Sequence, residues 1–268
     1  MLKKLYRYEF LAMLRCLIPV WCGAILLAAL CRGVYELGNV YQEYCNKNAT
    51  ELLASVIYLT KVATSTLVSF SIGAMVIFTL VLSLVRFYKN LFSGEGYFTM
   101  CMPFKVSAHI WCKLITAFCC FIISGVVSEL VLLIFNLGNE SMNQFFDVLG
   151  NIFSQMDISK FIMWIEMLIL GILSVACSIL SLYASVVFGQ NFKSKVGGTI
   201  LGYFIKNIGL RIIYSVYVFI CILILSLAIK ISSLIIIILL FGFIIIQAAL
   251  SVLFYLYIFK SMKNKFNI

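Results

Sequence analysis

Residues 231–259 read ISSLIIIILLFGFIIIQAALSVLFYLYIF, a run with no Asp, Glu, Lys, Arg or Pro. A helix rises 1.5 Å per residue, so about 20 apolar residues cross ~30 Å of hydrocarbon. This run meets that demand, and five others do the same at 11–31, 62–85, 110–135, 161–188 and 212–228. Strands of an outer-membrane barrel would instead alternate in polarity over short segments. Helices are the remaining structures that satisfy every backbone group inside lipid. The expected fold is an all-α membrane protein with six transmembrane helices, forming a single transmembrane domain over residues 1–268. Composition agrees, with 64% apolar and 11% charged residues, against roughly half and a quarter in soluble domains.

The formal net charge of +10 would point to nucleic acid in a soluble protein. In a membrane chain the positive-inside rule accounts for it, so no nucleic-acid partner is expected. With the N-terminus inside, the cytoplasmic flanks carry Lys3, Lys4, Arg7, Arg15, Arg86, Lys89, Lys105, Lys113, Lys193, Lys195, Lys260, Lys263 and Lys265. The opposite side carries Arg32, Lys47, Lys61, Lys160 and Lys230, mixed with Glu36, Glu43, Glu51, Glu140, Asp147 and Asp157. Both termini are therefore expected to be cytoplasmic. The first run is long and has no small-residue cleavage site, so no cleavable signal peptide is expected.

Residues 1–15 read as an amphipathic elbow helix lying in the interface, with Leu2, Leu5, Tyr6, Phe10, Met13 and Leu17 on one arc and Lys4, Arg7 and Arg15 on another. The alternative is a charged lead-in to the first span. Residues 31–61 read as an outer loop rich in tyrosine, and 136–160 as a second one with apolar residues at helical spacing. Near Lys230 the connection is a short hairpin. The fifth span either starts near Ile212, leaving Lys206 and Arg211 in the cytoplasm, or is a longer helix that turns them toward a wet cavity. Ser194, Gly198 and Gly202 form a small-residue stripe that permits close helix contact, and Gly23 and Ala28 offer an opposing surface on the first span. A two-fold dimer in which the first and fifth helices meet through these residues is expected, the alternative being that they only let helices pack within one chain.

Most of the ten cysteines lie in or against apolar runs, where Cys acts as a small hydrophobe. Cys31 and Cys45 flank one outer loop, and a pairing there is left open. No C-x-x-C pair occurs, which argues against a metal or redox site. No phosphate-binding G-x-x-x-x-G-K-[ST] loop is present either. His109 stands at a span boundary without a ligand cluster. Glu129 and Glu166 are the acidic residues within spans. Intramembrane carboxylates raise a functional hypothesis, but these lie near the outer ends, and a structural role stands beside it. With Lys206 and Arg211 they are the candidate pathway-lining residues. No catalytic constellation is expected, nor a cofactor bound by this chain.

Between the second and third runs lies residues 86–105, RFYKNLFSGEGYFTMCMPFK. It is too short for a domain, yet it interleaves aromatics with bases around a Gly-Glu-Gly turn. Such a segment packs on the membrane interface or docks into another protein. Its R-F-Y-K-N-L-x-x-x-E-G-Y core, followed by Pro103 and by Lys113 at the third span, resembles the cytoplasmic loop of ABC-2-type exporter permease subunits. The likeness extends to the whole topology of elbow, six spans and no ATPase of its own. It implies that 86–105 is a coupling loop, with Asn90, Phe92, Gly94, Glu95, Gly96 and Tyr97 meeting the ATPase, and that 190–198 is a second cytoplasmic loop. It also implies two ATPase subunits that hold ATP and Mg, a second permease subunit as a homodimer, and a bacterial plasma membrane. Larger relatives carry re-entrant helices between spans five and six; the short hairpin here departs from them. That departure fits small bacterial exporters of amphipathic peptides, including peptide toxins and peptide-immunity systems. Two other classes compete: a secondary transporter, which needs a midplane charge or a broken helix, and a non-transporting assembly or immunity protein.

Overall fold

The computed structural model describes residues 2–45, 51–92, 106–138, 157–227 and 233–266, together with 147, 150 and 154. Six helices account for nearly all of these: α1 (Leu2–Cys45), α2 (Glu51–Phe92), α3 (Val106–Asn136), α4 (Ile158–Gly189), α5 (Lys195–Leu227) and α6 (Ser233–Phe266). Each is long and apolar enough to cross a membrane, and no strand occurs among the described residues. The chain is a multi-pass helical membrane protein.

The first two helices are longer than the sequence runs implied. α1 has 44 residues and α2 has 42, so they measure ~66 and ~63 Å, about twice the hydrocarbon thickness. Most of the stretch 31–61 is therefore helix rather than loop. Polar and tyrosine-rich composition ends a hydrophobic run without breaking a helix, and no Pro or helix-ending Gly stands there. Cys31 and Cys45 lie on this one helix, 14 residues or ~21 Å apart, too far for a disulfide. Cys31 is a buried free thiol.

Residues 2–15 likewise form no helix separate from α1. Glu9, Met13, Leu17, Trp21, Ala24, Ala28 and Cys31 are buried at steps of three or four residues, a stripe that runs unbroken from the lead-in through the span. The apolar arc read from the sequence exists, but it turns onto protein. The Tyr6 hydroxyl donates to Cys119 Sγ at 3.3 Å, and Tyr6 stacks on Phe10 at 5.7 Å. Pro19 sits inside α1 on its exposed side.

Two compact units can be distinguished. One comprises Lys3–Ser83 and Cys119–Phe153, with a core of Met13, Leu17, Trp21, Ala24 and Ala28 from α1, Val68 and Met75 from α2, and Cys120, Val131 and Phe135 from α3. Inside it, Trp21 Nε1 donates to Ser124 Oγ at 3.1 Å. The hydroxyls of Ser124 and Thr79 are 3.0 Å apart, and Thr79 donates to the Met75 carbonyl at 2.9 Å. Since Thr79 spends its proton on Met75, Ser124 donates to Thr79 and accepts from Trp21. Three helices are thus tied by a chain in which every donor has an acceptor, as apolar surroundings demand.

At the far end of α3, Arg32 Nη1 donates to the Phe135 carbonyl at 3.2 Å and pairs with Glu36 one turn on. Gly138, at φ 77°, stands two residues beyond the helix in the left-handed region that glycine adopts most easily. A cation on the last carbonyls of a helix answers both their missing donors and the negative end of the dipole. Tyr35 lies between Arg32 at 5.6 Å and Lys61 at 5.5 Å. That aromatic contact holds the helical continuations of α1 and α2 together.

The other unit comprises Leu84–Phe118 and Ser154–Ile268 with the first two residues. Here α4 packs along both α5 and α6. The turn between α4 and α5 is tight: Gln190, Asn191 and Phe192 donate back to Val187, Phe188 and Gly189 at 3.2 Å. The second expected loop therefore shrinks to 190–194, and 195–198 are already helix. Ser194 caps α5, its Oγ accepting from Gly197 N at 3.3 Å. α5 then runs as one helix through Lys206, Asn207 and Arg211, so no break in the helix marks the start of the fifth span.

Large apolar side chains are exposed along all six helices. No residue of the most apolar stretch of α5 is buried, and Ile200, Phe204, Ile208, Ile212 and Phe219 are all exposed. Surface of this kind matches lipid.

Candidate functional site

On α6, Tyr257, Lys260, Ser261 and Asn264 follow the i, i+3, i+4, i+7 spacing of one helical face, just past the charge-free run. They line a cavity of about 660 Å³ together with Phe92 at the end of α2, Val187 on α4, and Gln190 and Asn191 in the turn. That volume falls within the range of small-ligand pockets. Behind the face, Ile258 and Met262 are fully buried and fix α6 in rotation. Phe87 stacks flat on Tyr183 at 3.9 Å and touches Phe92 at 6.0 Å. The Tyr183 hydroxyl donates to the Lys113 carbonyl at 3.4 Å, so α2, α3 and α4 brace the floor.

The lining sets the polar side chains of Gln190, Asn191, Lys260, Ser261 and Asn264 beside the apolar surface of Phe92, Val187 and the Tyr257 ring. Gln190 Nε2 donates to Val186 O at 3.5 Å, while its Oε1 is buried without a hydrogen-bond partner. Lys260 supplies a charge, and Arg86, Lys89, Lys193, Lys195 and Lys263 lie on the adjoining helix ends and turn. No Asp or Glu occurs in 84–92, 106–118, 185–205 or 254–264. This end of the unit is positive throughout its described segments.

The residues singled out from the sequence meet different fates. Phe92 lines the cavity, and Asn90 is half-buried one turn before it on α2. Gly94, Glu95, Gly96 and Tyr97 lie outside the described residues, as do the short hairpin at Lys230 and most of the second outer loop. Glu129 is exposed on α3 and Arg211 is exposed on α5. Glu166 is buried, and its Oε2 has no hydrogen-bond partner. Lys206 Nζ is also buried and unbonded, but it stands over the rings of Tyr257 at 5.0 Å and Phe254 at 5.7 Å. No ion pair joins Glu166 to Lys206. Among the described residues no group of three His, Cys, Asp or Glu side chains could hold a metal ion.

The small-residue stripe is used within the chain. A Cβ on Gly198 would come 2.8 Å from Phe192 Cδ2, and one on Gly202 would come 2.7 Å from Phe188 Cδ1. On the other side of the contact, a Cβ on Gly189 would come 2.6 Å from Thr199 N. These glycines let α5 fold back on α4, and Ser194 is taken as the cap. Ala28 is fully buried in its own core. Of the expected interface residues, Gly23 is the one with open space over its Cα.

The cavity was not foreseen from the sequence. Its one signal was the polar stripe Tyr257–Lys260–Ser261–Asn264. The Trp21–Ser124–Thr79 chain carried no signal, because its members are isolated polar residues in three separate runs. Compared with protein families, with curated proteins and with solved structures, the chain matches none.

Proposed function

We propose that this chain is the transmembrane subunit of an ATP-driven exporter, coupling partner ATPase subunits to export of a hydrophobic or amphipathic substrate, with a peptide as the favoured cargo. The observation that carries this reading is the 86–105 segment. It resembles the coupling loop of ABC-2-type permeases, and its Phe92 stands in a cavity with the α4–α5 turn and the end of α6. A permease must receive force from its ATPase through parts held rigidly against one another. The stacked Phe87–Tyr183 pair and the glycine-tight α4–α5 turn are parts of that kind. The reading places both termini and this basic end in the cytoplasm of a bacterial cell, with ATP and Mg on two ATPase subunits. It also makes a second copy of the chain the other wall of the pathway, with the Gly23 face of α1 as one contact.

The test is reconstitution with ATP-binding-cassette ATPase subunits from the same cell. ATP hydrolysis should rise in the presence of the chain, and Phe92→Ala or Glu95→Ala should abolish the rise while insertion is kept. Unchanged stimulation in both variants would mean that the loop only packs on lipid.

A secondary transporter is the second reading, favoured by the unbonded ammonium of Lys206 within a span. Uptake or efflux that follows an ion gradient, persists without ATP and is lost in Lys206→Met would replace the first reading.

A further inference from the structure

The cavity at the basic end has a composition that names its ligand. It offers one ammonium from Lys260 and hydrogen-bond donors from Ser261, Asn191, Asn264 and Tyr257. No carboxylate occurs in the described segments around it. An anion rich in acceptor oxygens suits these donors, since hydrogen bonds to ionised oxygens are the strong ones.

The surroundings add the depth. Trp111, which is exposed, packs on Tyr255 at 5.8 Å, and Tyr255 stacks on Phe259 at 6.4 Å. Trp and Tyr next to lysines mark the headgroup level of a membrane-spanning helix. Basic pockets between helices at that level are suited to phospholipid heads.

We infer that this cavity is a binding site for a phosphate ester held by Lys260 and Ser261, with an anionic phospholipid head as its source. The site needs only the chain in a membrane and does not depend on the exporter reading.

Native mass spectrometry of the full chain released from detergent micelles tests it. Phosphatidylglycerol should remain bound at one molecule per chain, while phosphatidylcholine at the same concentration is lost. Phosphatidylmethanol, which is also anionic, should be retained like phosphatidylglycerol. Lys260→Met should weaken both anionic lipids about tenfold, and Lys260→Arg should restore them. Lys260 is exposed, so neither change threatens the fold. Displacement of the lipid by equimolar inorganic phosphate would support the phosphate chemistry and assign the site to a soluble ester; failure to displace assigns it to the lipid. Equal retention of phosphatidylcholine, or unchanged binding in Lys260→Met, would overturn the inference.

Discussion

The α1–α2–α3 core and the basic end of the α4–α6 unit handle buried polar groups in opposite ways. In the first, Trp21, Ser124 and Thr79 pass hydrogen bonds in one direction until the Met75 carbonyl takes the last proton. In the second, Gln190 Oε1 and Lys206 Nζ are buried with no hydrogen bond. Apolar surroundings penalise an unmet polar group and reward a completed chain. The completed chain therefore holds helices together, while each incomplete group is a cost that the packing around it must offset.

The close α4–α5 approach sets the largest expected effect. Gly202→Leu forces a side chain into Phe188, and overpacking of this kind costs about 3 kcal/mol. The midpoint of unfolding in detergent should fall, and refolding should lose yield. A variant as stable as the parent would show that α5 is free to move off α4, and that the stripe is available for a second subunit.

Breaking the completed chain comes next. Ser124→Ala strips the acceptor from Trp21 and a donor from Thr79, and should destabilise by about 1 kcal/mol, the scale of interhelical hydrogen bonds in membranes. A double-mutant cycle with Trp21→Phe should return a coupling of about 0.5 kcal/mol or more. Zero coupling would mean that the two side chains are neighbours without being partners.

Lys206→Met should act with the opposite sign. The ammonium gains from two aromatic rings, worth about 1 kcal/mol, against a desolvation cost within a span that exceeds this. The variant should be as stable as the parent or slightly more so, and transport should fall. A loss of stability would show that the aromatic pair is structural and would weaken the contrast between the two regions.

The six spans were legible because charge-free runs of membrane length have few other physical uses. Element ends were less so. The stretch 31–61 is polar enough to read as loop, yet Arg32–Glu36 pairing and the Tyr35–Lys61 contact sustain helix through most of it. The arc of Tyr6, Phe10, Met13 and Leu17 was read correctly and assigned to lipid, because an interface and a neighbouring helix select the same stripe. For Ser194, Gly198 and Gly202, close approach was legible but its partner was not. Small residues say that something comes near, and only the fold says it is Phe188 and Phe192. The cavity draws on four separated segments, which periodicity along one segment does not reveal.

The most direct test of the exporter reading is to recover the tagged full-length chain from native membranes in mild detergent and quantify its partners by mass spectrometry. An ATP-binding-cassette ATPase should copurify at one copy per permease chain, and the doubly substituted Phe92→Ala, Glu95→Ala chain should insert but recover it poorly. A chain that comes out of its native membrane without any such ATPase, under conditions that preserve a known permease–ATPase complex, would contradict the account.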